Sequence, residues 1–191
     1  MGRLKEFDKD AVLHKAMLVF WEKGYESTSI PDLIGSMGIS RSSLYETFVD
    51  KKTLYLETIE HYKKVRQKKR ELLLNAPTAK EGIKELFISH IDSAYDENFP
   101  KGCMITNAAV TVVGADSTFS QLVKDNFDNL EKMFYEVLQK GQYSGEIHKT
   151  KDIKVLSCLL LNLNHSINLL SKVKKEKQVL YDMIDTVLDL I

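Results

Sequence analysis

The stretch TSIPDLIGSMGISRSSLYETFVDKKTL, residues 28 to 54, carries two helix starts and one helix stop in fewer than thirty positions. Helices packed only to fill a core could be joined by almost any polar loop. Starts and stops this tightly specified require that one helix be held at a set angle to the other. In SIPDLIGSMG, Ser29 is a good N-cap, Pro31 occupies the first turn, where no N–H is needed, and Asp32 suits the positive end of the helix dipole. Ile30, Leu33, Ile34 and Met37 fall on one apolar face, and Gly38 stops the helix. Ser40 can cap a further helix, RSSLYETF, whose Leu44 and Phe48 point inward at i and i+4. Arg41, Ser42, Ser43 and Tyr45 remain for the outer face, which holds no acid before Glu46. Two short helices joined by a tight turn containing Gly, the second exposing Arg, Ser and Tyr, fit a helix-turn-helix, which seats a recognition helix in the DNA major groove.

The remainder reads as helical throughout. The chain has only three prolines and nine glycines, and the segments between them repeat apolar residues at helical spacing with little period-two alternation. A first helix is expected over residues 8 to 23, with Val12, Ala16, Val19 and Phe20 inward and Gly24 just past its end. A long helix should run from Asp50 through YLETIEHYKKVRQKKRELLL to Pro77, and another over residues 78 to 97. After the break at NFPKGC and the short segment MITNAAVTVV, a long helix is expected over residues 117 to 140, ended by GQYSGE. The last two helices, residues 150 to 172 and 176 to 191, carry more apolar surface than one face needs, which suggests burial against another chain as well as their own core.

Charge enters the argument through its distribution. Lys plus Arg and Asp plus Glu both total 27, yet residues 1 to 70 hold 14 basic and 10 acidic side chains and the rest hold 13 and 17. The basic run KKVRQKK, residues 63 to 69, reads as a solvated helix face. No apolar run in the sequence reaches membrane-spanning length, and MGRLKEFDKD is too charged for a signal peptide, so a cytoplasmic protein without membrane contact is expected. Cys103 and Cys158 lack both disulfide and metal-ligand spacing, and the five histidines are scattered, so neither a metal site nor a cofactor is expected. Cys158, in LSCLLL, reads as core.

The segment AMLVFWEKGYESTSIPDLIGSMGISRSSLYETFVDKKTLYLETI resembles the TetR family of bacterial transcriptional regulators through Phe20, Gly24, Tyr25, Thr28, Gly38, Ser40, Tyr45, Phe48, Lys51 and Leu54. The resemblance is specific over about residues 8 to 60. It implies an all-α fold with a three-helix DNA-binding domain at residues 1–50 and a helical effector-binding and dimerising domain at residues 51–191. It further implies that Thr28, Ser29, Tyr45 and Lys51 meet phosphate while Arg41, Ser42 and Ser43 face the groove. Hydroxyls, lysine and helix N-termini are suitable phosphate partners, and Arg and Ser can reach base edges. Arg3 and Lys5 in the N-terminal arm are further candidates for phosphate or the minor groove. The expected partners are a double-stranded palindromic operator, a second copy of the chain held through the last two helices, and a small-molecule effector. Family architecture, with polar or aromatic groups on otherwise apolar faces, nominates Tyr62, Phe87, His90, Cys103, Asn107, Phe127, Phe134 and His165 for the effector cavity.

PKGCMITNAA, residues 100 to 109, resembles a Gly-Cys motif of one branch of the family, some members of which respond to electrophiles or oxidants through such a cysteine. Cys103 is thus either a reactive thiol at a helix start or a small buried hydrophobe. The polar residues of LLLNLNHSINLL, Asn162, Asn164, His165 and Asn168, are read chiefly as interface or wet edge. No catalytic residue is expected. The rival function, a thiol reductase or peroxidase-like enzyme using Cys103, would need a base and a resolving partner that the sequence does not supply.

Overall fold

The computed structural model describes residues 7–111, 117–173 and 176–191, and all regular structure among them is helical. Arg3 and Lys5 lie outside the described residues. The first three helices, α1 (Lys9–Lys23), α2 (Ile30–Met37) and α3 (Arg41–Phe48), start where their side chains supply caps. Asp8 accepts from the N–H groups of Asp10 and Ala11, Ser29 and Asp32 complete a capping box, and Ser40 accepts from the Ser43 N–H at 3.1 Å. Donors that the helix cannot pair internally are thereby satisfied. Gly38, at φ 72°, closes α2 in left-handed backbone.

The end of α3 has no glycine. Val49 adopts φ 63° and ψ −59°, and the Asp50 N–H donates to the Phe48 carbonyl across 2.6 Å, a strained γ-turn centred on a β-branched residue. Asp50 then caps α4 (Lys51–Val65) by accepting from the Thr53 N–H at 2.7 Å, which holds its carboxyl below the ordinary range. Helix α3 therefore passes into α4 through one tight turn.

Beyond α4 the chain forms α5 (Gln67–Asn75), α6 (Ala79–Ala94), α7 (Met104–Thr111), α8 (Ser117–Ser144), α9 (Ile153–Leu170) and α10 (Gln178–Leu190). The single helix expected up to Pro77 is interrupted at Arg66, whose φ of −87° and ψ of −4° divide α4 from α5. The break lets α5 approach α6 so closely that a Cβ on Gly82 would stand 2.7 Å from the Leu73 carbonyl oxygen. The stop expected at residue 140 also moves. Helix α8 continues through Gly141, where a Cβ would meet Ile147 Cδ1 at 2.6 Å, and the chain turns at Gly145, φ 82°. That turn delivers Glu146 to the start of α6, where its carboxylate accepts from the Ala79 and Lys80 N–H groups at 2.8 and 2.9 Å.

Two apolar clusters hold these elements. One joins α1 to α4 with α7 and the start of α8, around Met17, Phe20, Phe48, Leu54, Ile59, Met104 and Phe119. The other joins α5, α6, the rest of α8, α9 and α10, around Phe87, Phe134, Leu160, Ile167, Leu180 and Ile184. Helix α9 has eighteen residues and a mean hydropathy of 1.3, enough by length and composition alone to cross a membrane, although Lys154, Asn162, Asn164, His165 and Asn168 interrupt its apolar residues. Its inner face packs into the second cluster, while Val155, Leu159 and Leu169 stay exposed. Cys158 is exposed on the same helix and is not core, because the inward positions of that turn belong to Leu156, Ser157 and Leu160.

Candidate functional site

The outer face of α3 and the start of α2 form a polar surface. Arg41 and Ser42 are exposed at the N-terminus of α3, with Ser43 partly covered, and the Ser40 hydroxyl lies 2.9 and 2.8 Å from those of Ser42 and Ser43. Tyr45 is exposed one turn on, and the Arg41 guanidinium sits 5.8 Å from its ring centre. Lys51, at the first position of α4, extends over the Tyr25 ring, with its Nζ 4.6 Å from the centre. A cation held against an aromatic face keeps its charge at the surface with few rotamers to lose.

At the start of α2, Ser29 is exposed and its hydroxyl lies 2.7 Å from an Asp32 carboxylate oxygen. The Lys23 ammonium, 2.7 Å from Asp32, and the Ser29 donors hold that carboxyl far below its ordinary value. Thr28 differs from its expected role. It is 1% exposed, and its hydroxyl donates to the Gly24 carbonyl at 2.6 Å, so it fixes the turn between α1 and α2 and presents no hydroxyl to a phosphate.

Of the effector candidates, the structure brings Tyr62, His90, Cys103 and His165 to one cavity of about 80 Å³, small beside the roughly 300 to 1,000 Å³ of a drug-sized ligand site. The buried Tyr62 hydroxyl donates to Cys103 Sγ at 3.3 Å, and burial together with this sulfur pushes the phenol well above its usual range. Phe127 flanks the cavity by packing on the His165 ring, 4.0 Å between centres. Asn107 is engaged elsewhere, accepting from Lys172 at 2.6 Å. Phe87 and Phe134 do not line the cavity. They stack on each other within the second core cluster, 5.8 Å apart and nearly parallel.

The charged lining was missed. Arg66, Lys69 and Arg70 border the cavity, so the run read as a solvated face is solvated only in part. The break at Arg66 turns these side chains inward, an effect that helical periodicity cannot anticipate. Lys69 hydrogen-bonds the Ser89 carbonyl at 2.9 Å and the Ser93 hydroxyl, and burial, aided by Arg66, brings its pKa down to about 7. Asn164, read as interface or edge, is buried at the cavity, as is Asn126, with Thr106 half-buried beside them, whereas Asn162 is exposed on the outer side of α9.

A profile described as bacterial regulatory proteins, tetR family, matches residues 12–58, and one described as tetracyclin repressor-like, C-terminal domain, matches residues 79–187. The uncharacterised HTH-type transcriptional regulator YezE of Bacillus subtilis is 33% identical over 193 residues, covering 100% of each chain. The HTH-type transcriptional repressor ComR of Escherichia coli is 26% identical over 171 residues, covering 86% of this chain and 81% of its own. Among solved structures, a cysteine mutant of the TetR family transcriptional regulator CifR, complexed with 26bp double-strand operator DNA, superposes with a TM-score of 0.91 at 27% identity and covers 98% of each chain. Reduced Escherichia coli NemR, at 15% identity and a TM-score of 0.82 over 95% of this chain and 96% of its own, shares the fold.

Proposed function

The chain belongs to the tetR family of bacterial regulatory proteins, and from that premise we propose that this transcriptional regulator is a cytoplasmic homodimeric repressor released from a palindromic operator by a small molecule. Residues 1–50 would bind DNA, and residues 51–191 would bind the effector and dimerise. The observation that carries the reading is the exposed surface made by Arg41, Ser42, Ser43 and Tyr45, with the capped start of α2 on one side and Lys51 on the other. Operator DNA in the CifR complexes and the repressor name of ComR support it.

In this reading Arg41, Ser42 and Ser43 meet base edges while Ser29, Tyr45 and Lys51 meet phosphates. Operator sequences selected from a random pool would supply the duplex. Lys51→Ala and Tyr45→Phe should weaken binding to every duplex about equally, and Lys51→Ala should flatten the dependence of log K on log salt by about one unit per subunit. Arg41→Ala should instead relax choice at one base pair per half-site. Fluorescence anisotropy across a salt series measures both, and unchanged low-salt affinity of Lys51→Ala would remove that phosphate contact.

Helix α4 borders the cavity at Tyr62 and follows the recognition helix through the turn at Val49. A bound effector would favour an α4 position in which the two recognition helices no longer fit adjacent half-sites, a shift of population between two conformers.

One observation favours a covalent variant of this release: Cys103 is part-exposed, lines the cavity and receives the Tyr62 hydrogen bond. Cys103→Ser should then bind operator as the parent does but resist release by electrophiles. Brief limiting alkylation read by mass spectrometry should label Cys103 in the dimer, and equal release of both proteins would leave the non-covalent effector. No catalytic step is assigned. The thiol-enzyme rival is disfavoured because Cys158, its sole resolving candidate in the sequence, lies on the outer face of α9 and does not line the cavity.

A further inference from the structure

The cavity has an unbalanced charge. It is bordered by Arg66, Lys69 and Arg70, and among the described residues no carboxylate lies within ion-pair distance of any of the three. Lys63, the remaining cation at its edge, is paired with Glu60 at 2.7 Å. Among the described residues no Asp or Glu lines the cavity. Asp92 and Asp96 act on Lys69 only from beyond ion-pair distance, and cations so weakly balanced repel one another and gain most from an anion that enters partly desolvated.

Two histidines with buried, unpartnered ring nitrogens add a second, independent feature. His90, 8% exposed, is kept neutral by burial, and its buried Nε2 has no partner in the fold. A neutral imidazole carries one N–H donor and one lone-pair acceptor, and a hydroxyl, which both donates and accepts, can pair with Nε2 in either tautomer. His165 also has an unpartnered Nε2, while its Nδ1 lies 3.1 Å from the Thr106 hydroxyl. That hydroxyl also accepts from Asn168 at 3.4 Å, and in the tautomer where it donates to Nδ1, His165 Nε2 is free to donate to a ligand. Buried polar atoms without partners cost about 1 to 3 kcal/mol each, so a ligand that pairs both is favoured over one that pairs neither. Leu86, Ile105 and Leu130 supply an apolar wall.

Resting on the effector reading above, we propose that this cavity takes a small organic acid as its anion, one that also carries a hydroxyl or N–H donor and a short aliphatic body. The oxyanion faces the guanidinium groups of Arg66 and Arg70 and the Lys69 ammonium, with His165 Nε2–H as a further donor. The ligand hydroxyl pairs with His90 Nε2, as donor or acceptor according to the tautomer. A size of a few carbons matches the space of about 80 Å³.

The sole tryptophan of the chain reports on the site, because the Arg66 guanidinium lies 5.5 Å from the Trp21 ring centre and 5.2 Å from that of Tyr62. The full-length protein would be titrated with 2-hydroxy-3-methylbutanoate, with 3-methylbutanoate, which lacks the hydroxyl, and with 2-hydroxy-3-methylbutanamide, which lacks the charge. Tryptophan fluorescence and calorimetry would be read alongside operator affinity. The hydroxy acid should bind and shift the fluorescence, the plain acid should bind about tenfold more weakly, and the amide should not bind at 10 mM. Arg70→Gln and Lys69→Met should each lose at least tenfold for the hydroxy acid while melting cooperatively and holding operator DNA. Amide binding equal to that of the acid, full binding by both variants, or binding of no probe at 10 mM would overturn the proposal. If the amide alone both binds and releases DNA, the effector reading stands and the anion inference falls. If the hydroxy acid binds without changing operator affinity, the anion site stands and the effector reading falls.

Discussion

Lys69 carries its charge where the fold makes charge costly. Burial and the neighbouring Arg66 hold it near pKa 7, while Asp92 and Asp96 oppose the shift only in part. An unfolded lysine titrates near about 10.4. Above that value Lys69 is neutral in both states and contributes no linked cost. Between about 10.4 and 7 the unfolded chain binds a proton that the folded one does not, so stability falls as pH falls, and below 7 the penalty is constant. Lys69→Met should therefore stabilise the protein, with the largest gain at pH 6 and a smaller one at pH 9, measured as the shift in thermal midpoint against the parent. A gain that grows with pH would contradict the depressed value. At this scale the sequence was legible wherever chemistry is local. Ser29, Ser40 and Asp50 announce their helix starts because a short polar side chain can reach its own backbone two or three residues on. Lys69 was misread for the opposite reason, and Thr28 because its near partner is a carbonyl left free where α1 ends, which residue type alone does not reveal. Whether a hydroxyl or ammonium is spent inside the fold depends on Gly24 in one case and on Ser89 in the other, twenty residues away.

Among the elements, the ends of α1 and α2 were legible through Gly24 and Gly38, whereas the break between α4 and α5 has no such signal. Gly38 stops α2 as expected, but Arg66 interrupts α4 and α5 with no proline or glycine beside it. The cause lies in α6, which offers Gly82 as the place where the Leu73 carbonyl can come close. The same logic explains why α8 ignores Gly141, whose missing Cβ makes room for Ile147, and why the chain turns only at Gly145. A substitution pair tests this. Gly82→Ala forces a methyl against backbone and should destabilise by about 1 to 3 kcal/mol, since α5 must shift to admit it. Gly35→Ala, within α2 with nothing inside 4 Å of its new methyl, should stabilise by roughly 0.5 to 1 kcal/mol through helix propensity alone. Urea midpoints at unchanged m-value give both numbers, and equal effects of the two changes would mean that Gly82 is not a packing constraint.

For the whole molecule, the apolar excess of the last two helices was legible as an amount but not as a direction. Periodicity showed that both helices carry more than one face of apolar residues, yet it could not say which face the chain itself buries. Leu180 and Ile184, natural choices for a contact between subunits, are 0% and 2% exposed in the chain's own second core. The outward stripe is Val155, Leu159 and Leu169 on α9 with Val179 and Leu190 on α10, all between 39% and 63% exposed. Residues 155 and 159 are one helical turn apart, so the stripe on α9 begins as a ridge, and two such helices from each subunit can pack about a two-fold axis as a four-helix interface. Exposed ridges on two neighbouring helices are costly in water and gain from a self-complementary partner more than from any single exposed side chain alone. The double change Val155→Glu with Leu159→Glu should therefore yield a folded, helical monomer that fails to bind a palindromic operator, because each half-site would have to be bound without help from the other. Leu180→Glu should instead buries a carboxylate among Ile184, Leu160 and their neighbours, and so lose helicity and cooperative unfolding before any question of assembly arises. Sedimentation at micromolar concentration with circular dichroism separates the two outcomes. A double variant that stays dimeric and holds operator normally would move the interface to another face.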